Sequence, residues 1–191
     1  MNILLLGPQG SGKGTQAKRI SAEYGIPHIA TGDMLRAAIA TGTPLGQKLK
    51  PVLESGQLVS DDLMIELIRD RLEAPDTELG FILDGFPRTW AQAEALDRML
   101  KEIGREIDVA FELQASDEVS TERLLKRAVD EGRPDDTPEV IAERLGTYHR
   151  ETEPLMEHYR ARGNLVGIHA DRPIEDVFSE IQDALEQVAV R

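Results

Sequence analysis

The chain is 191 residues long, carries a formal charge of −13 and contains no cysteine. That length fits one α/β domain with small inserts, and the acidic balance argues against a nucleic-acid or anionic-membrane partner. Disulfides and thiolate metal sites are excluded, and the basic residues are mostly arginine, 16 against six lysines. A planar guanidinium fork suits bidentate phosphate contacts, although GC-rich coding also raises arginine content.

The first element is the apolar run 2–6, which suits a buried parallel strand. It is far too short for a signal peptide, no stretch approaches a membrane span, and a cytoplasmic location is expected. Directly after it stands Gly7-Pro8-Gln9-Gly10-Ser11-Gly12-Lys13-Gly14-Thr15. Glycines at this spacing between a strand and a helix let backbone N–H groups converge on phosphate oxygens, and the helix N-terminus adds partial positive charge. Lys13 supplies a mobile point charge for the outer phosphates. The position after it is Gly14, with the hydroxyl one residue later at Thr15.

Further strand-like runs occur at 27–30, 80–84, 108–113 and 164–169, with helical patterns between them. The alternation predicts a parallel five-stranded sheet flanked by helices in three layers. Thr43-Pro44, Ser60-Asp61, Ser116-Asp117 and Thr137-Pro138 read as helix starts, each a hydroxyl before a proline or an acid. Residues 30–59 hold two short helices where one would suffice, and 126–136 form a charged Gly/Pro loop between helices. Both read as mobile inserts in a core made of 1–29, 60–125 and 137–191. In the last segment Ile174, Val177, Phe178, Ile181, Leu185 and Val188 recur every three or four residues, the stripe of a core-facing helix. The four histidines, His28, His149, His158 and His169, show no metal-ligand spacing and read as strand or surface residues.

A second informative block is Phe81-Ile82-Leu83-Asp84-Gly85-Phe86-Pro87-Arg88-Thr89. An acid ending an apolar strand in a phosphate-loop protein is a candidate for the bound metal, or equally a turn residue. Together with Thr31-Gly32-Asp33-Met34-Leu35-Arg36 and the loop at 7–15, these blocks resemble the adenylate kinases, a family of nucleoside monophosphate kinases, across essentially the whole chain in order and spacing.

The resemblance implies a P-loop NTPase-type fold and a reversible transfer, ATP + AMP = 2 ADP, with magnesium on the ATP, by a monomer. In that reading Gly10, Ser11, Gly12, Lys13, Gly14 and Thr15 hold the ATP phosphates. The insert at 30–59 closes over AMP, with Thr31, Arg36, Leu53, Gln57, Leu58 and Val59 in contact with it. Gly85, Phe86, Pro87 and Arg88 approach the AMP phosphate, and Gln92 reads the adenine edge. Arg123 and Arg127 serve ATP and the transferring phosphate, and Arg133 and Arg144 clamp phosphates as the short lid at 126–136 closes. The Arg172 backbone touches the ATP base. Asp84 holds waters on magnesium, with Asp33 a second candidate. The lid is short and carries no cysteine, so no structural zinc is expected. Gln9 departs from the family's usual proline, and little effect is expected at the loop's tip.

Other uses of these residues stay open. Thr89-x-x-Gln92 is also a capping box, and Thr31 is also a candidate N-cap. Arg123 and Arg127, four apart on one helix face, repel each other unless an anion or the acids Glu122 and Glu131 relieve them. A UMP/CMP kinase is the runner-up activity, and a phosphate-loop ATPase or switch that drives a partner is the alternative from another class.

Overall fold

A computed structural model describes residues 1–42, 44–133 and 136–189. Five strands, β1 (Asn2–Leu6), β2 (His28–Ala30), β3 (Phe81–Asp84), β4 (Val109–Gln114) and β5 (Leu165–His169), form one sheet in the order β2-β3-β1-β4-β5. All four pairings are parallel. Alternation along β1 divides the core. Leu4 and Leu6 face one side with Phe81 and Leu83, while Ile3 and Leu5 face the other with Ile82, Val109 and Phe111. Burial on both faces is why the strands read as near-continuous apolar runs.

Helices cover each face. On one side lie α1 (Lys13–Tyr24) and α9 (Ile174–Ala189), contributing Ala17, Ile20, Val177, Phe178, Ile181 and Leu185. On the other lie α4 (Asp61–Leu72), α5 (Trp90–Glu102) and α8 (Met156–Ala161), with Ile68, Leu96 and Tyr159 fully buried. Between β2 and α4 come α2 (Thr31–Ala40) and α3 (Pro44–Glu54), the two short helices expected there. After β4, α6 (Asp117–Glu131) and α7 (Pro138–Thr147) pack through Leu124, Ile141 and Leu145.

The chain lays β2 and β3 on one side of β1 and β4 and β5 on the other, so the order reverses beside β1. In such sheets the crevice at the carboxyl ends of the strands beside that reversal is where ligands bind. Leu5 stands in register with Asp84, which brings the loop after β1 next to the end of β3.

The structure corrects four local expectations. The segment 126–136 is not a loop throughout, because α6 continues to Glu131 and stops only where Gly132 takes a left-handed C-cap (φ 61°). Nothing before that glycine interrupts the helix. Ser116 and Thr137 cap their helices, accepting from Val119 N at 3.2 Å and Val140 N at 3.3 Å, whereas Ser60 makes no side-chain cap bond. Thr31 is the first residue of α2 rather than its N-cap, and its hydroxyl donates to the Asp84 carbonyl at 3.3 Å. Ile174 is 52% exposed and not part of the buried stripe, since it stands in the first turn of α9, where its carbonyl accepts from Gln16 Nε2 at 3.1 Å. The expected cap at Thr43 and the lid positions Pro134 and Asp135 lie outside the described residues. Among the described residues no helix is long and apolar enough to cross a membrane.

Candidate active site

A cavity of about 600 Å³ opens at the carboxyl ends of β1 and β3. Its floor is the loop Gly7–Gly12 and the first turn of α1. The loop needs glycine at position 10: φ is +84°, and a Cβ there would lie 2.5 Å from the Ser120 carbonyl oxygen of α6. The phosphate loop is thereby pressed against the helix that carries Arg123 and Arg127. Ser11 is buried, and among the described residues its hydroxyl has no hydrogen-bond partner.

Lys13 Nζ donates to the Gly7 and Pro8 carbonyls, each at 2.7 Å. It opens partly to the cavity, yet protein packs densely around it. Burial lowers its pKa to about 8, against the pull of the Asp84 carboxylate and with help from the Arg88 and Arg127 charges.

Opposite the loop, Arg88 follows β3. Its Nε donates to the Gly85 carbonyl at 2.8 Å, and its backbone N–H donates to Gln92 Oε1 at 2.8 Å. Burial lowers its pKa. Asp84 opposes that shift, and the nearby charges of Arg144 and Arg36 add to it. Arg36 pairs with Asp33 at 2.5 Å on the exposed side of α2. Burial would raise the Asp33 pKa, but the bond and charge of Arg36, with Arg133 behind them, outweigh it and hold the carboxyl below its usual range.

Behind Arg127 and Arg144 in the cavity wall stands a residue that carried no signal in the sequence. The side chain of Asp136 is fully buried and accepts from Arg127 Nε at 2.8 Å, Arg127 Nη2 at 2.9 Å and Arg144 Nη1 at 2.9 Å. Of the two like charges on α6, Arg127 is thus met by an acid from the segment before α7, and among the described hydrogen bonds neither arginine reaches Glu122 or Glu131. Glu131 instead accepts from Arg133 at 2.7 Å. Arg144 also donates to the Leu53 carbonyl at 3.4 Å, tying α7 to the insert at 30–59. Arg123 donates to the Ala170 carbonyl at 2.9 Å. Arg172 donates to the His169 carbonyl at 2.9 Å and bonds Glu180.

Most of the expected residues line this one cavity. They include Gly10 to Thr15, Asp33, Arg36, Leu53, Gln57, Asp84 to Arg88, and the arginines at 123, 127, 133, 144 and 172. Thr31, Leu58, Val59 and Gln92 do not line it. Thr31 is buried against Asp84, and Val59 is part of the core beneath the insert. Gln92 adopts a capping geometry: its N–H donates to Thr89 Oγ1 at 3.3 Å, and its Nε2 donates to Asp61 Oδ1 at 2.8 Å. Tyr148, Thr152, Ile174 and Val177 line the cavity without having been expected there. The helical stripe gave the last two a core role, and no local signal marked the first two.

His28, read as a strand or surface residue, sits in the cavity with Nε2 3.2 Å from Asp84 Oδ2. That carboxylate faces the start of α1, since a Cβ on Gly14 would lie 3.6 Å from Asp84 Oδ2. Among the described residues no group of three or more histidines and acids could hold a metal ion. One carboxylate beside a phosphate cradle fits a hard cation that arrives on phosphate oxygens and keeps most of its waters.

Residues 5–164 match the family model described as adenylate kinase. A protein of Caulobacter vibrioides named adenylate kinase is 49% identical over 99% of both chains. One from a Cyanothece species with the same name is 49% identical over 97% of this chain and 95% of its own. One from the archaeon Archaeoglobus fulgidus is 43% identical over 98% and 99%.

Proposed function

The chain belongs to the adenylate kinase family and is a nucleoside monophosphate kinase, and we propose that its reaction is the reversible transfer ATP + AMP = 2 ADP with magnesium on the ATP. The observation that carries this reading is the convergence of the phosphate loop with Arg36, Arg88, Arg123, Arg133 and Arg144 on one cavity. A single phosphate chain does not require so many forked cations. Two facing ones do.

The acceptor is a phosphate oxygen that is ionised near neutral pH, so no general base is needed. The work is positional and electrostatic: two polyanions are brought into line, and the charge on the moving phosphoryl group is neutralised. Lys13 and the N–H groups of Gly10 to Thr15 take the donor phosphates. Arg88, held by its own loop, takes the acceptor phosphate with Arg36. Arg123 and Arg127 reach from α6 and Arg133 and Arg144 from the lid side, where they surround the transferring group. Asp84 is the residue suited to orient waters on magnesium, which supplies charge neutralisation across the phosphates. Asp33, committed to Arg36, is less suited.

Adenine on the acceptor side is supported by Leu53 and Gln57 on the cavity wall, beside the Leu58 and Val59 backbone. Gln92 reads the base edge only if it gives up a bond to Arg88 or Asp61. Arg172 lines the same cavity, and its backbone is the part assigned to the donor base. Water competes as acceptor, and closure of the segments at 30–59 and 126–136 excludes it. The enzyme acts as a cytoplasmic monomer and needs no structural zinc.

The test is direct. Purified protein given ADP and magnesium should produce ATP and AMP in equal amounts. ATP hydrolysis without an acceptor, and no disproportionation of ADP, would refute the reading. UMP or CMP accepted in preference to AMP would reassign the acceptor.

A further inference from the structure

Arg88 is held at three points. The Gln92 side chain takes its N–H, the Gly85 carbonyl takes its Nε, and its own carbonyl accepts a hydrogen bond from Thr152 Oγ1 at 2.9 Å. The first two partners belong to the same loop and helix. Thr152 comes from 64 residues further along the chain. It is buried at 7% exposure and lines the active cavity.

The backbone explains how Thr152 reaches that place. After α7, residues Tyr148–Thr152 form one turn of π-helix, in which Glu153 N–H returns to the Tyr148 carbonyl. Residues advance about 100° each around an α-helix, so an unbroken helix would set position 152 about 80° away from Arg144. A π turn takes in one extra residue and so sets the later positions back by about one residue, which returns Thr152 to the face of Arg144. Arg144, Tyr148 and Thr152 accordingly all face the cavity. α7 and the widened turn that continues it therefore carry Arg144 on one side of the turn and, at its end, a hydroxyl that grips the Arg88 backbone.

We propose that Thr152 is a positioning residue for phosphoryl transfer, holding Arg88 in fixed register with the helix that presents Arg144. The inference rests on Arg88 acting at the acceptor phosphate. Thr152 touches no reacting atom. Its hydroxyl satisfies a carbonyl that would otherwise lie unpaired in the wall of the cavity, free to rotate the Arg88 peptide and its guanidinium with it.

Thr152→Val keeps the shape and removes the hydroxyl, whereas Thr152→Ser keeps the hydroxyl and removes a methyl group. In a coupled assay with ATP and AMP, Thr152→Val should lose tenfold or more in kcat with the KM for ATP changed less than twofold. Thr152→Ser should recover to within threefold of the wild type. Circular dichroism at the assay temperature establishes that each variant is folded. Should valine prevent folding, Thr152→Ala provides the same comparison without the branched methyl pair. A kcat within twofold of wild type in the folded valine or alanine variant overturns the proposal, and so does a serine variant as slow as the valine one. If the wild-type protein itself fails to convert ADP, the proposed function falls. If the wild type converts it and the variants match it, only the role of Thr152 falls.

Discussion

The pKa of Lys13 makes a quantitative test of the phosphate loop. Burial brings it from 10.5 to about 8, so the charge that should grip the donor phosphates is lost within an accessible pH range. About nine tenths of the side chains are protonated at pH 7 and about one tenth at pH 9. Nucleotide binding to the free enzyme should therefore weaken roughly tenfold between those values, over a range in which the nucleotide phosphates are already ionised. Folding responds with the opposite sign. The unfolded chain binds more protons than the folded one between pH 8 and 10.5, so this group adds stability as pH rises through that window, by about 3 kcal/mol in full. Calorimetric titration of ADP from pH 7 to 9.5 reads the first effect, and denaturant melts of wild type against Lys13→Met read the second. Lys13→Arg, charged throughout, should flatten the binding profile. An affinity for ADP that does not change across this range in the wild type would refute the argument.

Arg88→Ala should fold normally and lose several orders of magnitude in transfer rate, because it removes charge stabilisation from the reacting centre. Near-normal single-turnover rates would move the acceptor site elsewhere. Asp136→Asn removes the buried charge that Arg127 and Arg144 share, and should cost about 3 kcal/mol, a Tm fall of roughly 6–12 °C by calorimetry. An unchanged Tm would mean the ion pairs contribute nothing net. Asp84→Asn should shift the magnesium dependence of the rate to higher concentration at fixed ATP, and a curve superimposable on the wild type would remove Asp84 from that role.

The strands were legible because burial on both faces demands unbroken apolar residues, and a run such as Ile3-Leu4-Leu5-Leu6 has no other good reading. The phosphate loop was legible because its glycines are required by backbone geometry, as the contact between Gly10 and Ser120 makes plain. Arg88 was legible through its block after β3. What escaped was set by distance along the chain. Asp136 sits eight and nine residues from its partners, with no periodicity to mark it, and its burial depends on α6 running on to Gly132. The π turn leaves no compositional trace, so the grip of Thr152 on Arg88 was invisible. Gln92 carried two competing signals, a capping box and adenine recognition, and only packing against Asp61 shows which bonds it makes in the folded chain.

The carboxylate of Asp136 has a consequence for discrimination. Fully buried behind the cavity-lining guanidiniums of Arg127 and Arg144, it answers part of their charge before any ligand arrives. A singly charged anion has correspondingly less uncompensated charge to meet there. A polyphosphate chain, reaching several cations at once, does not labour under that handicap. A dense cluster of cations can thus stand in a strongly acidic molecule without being left uncompensated.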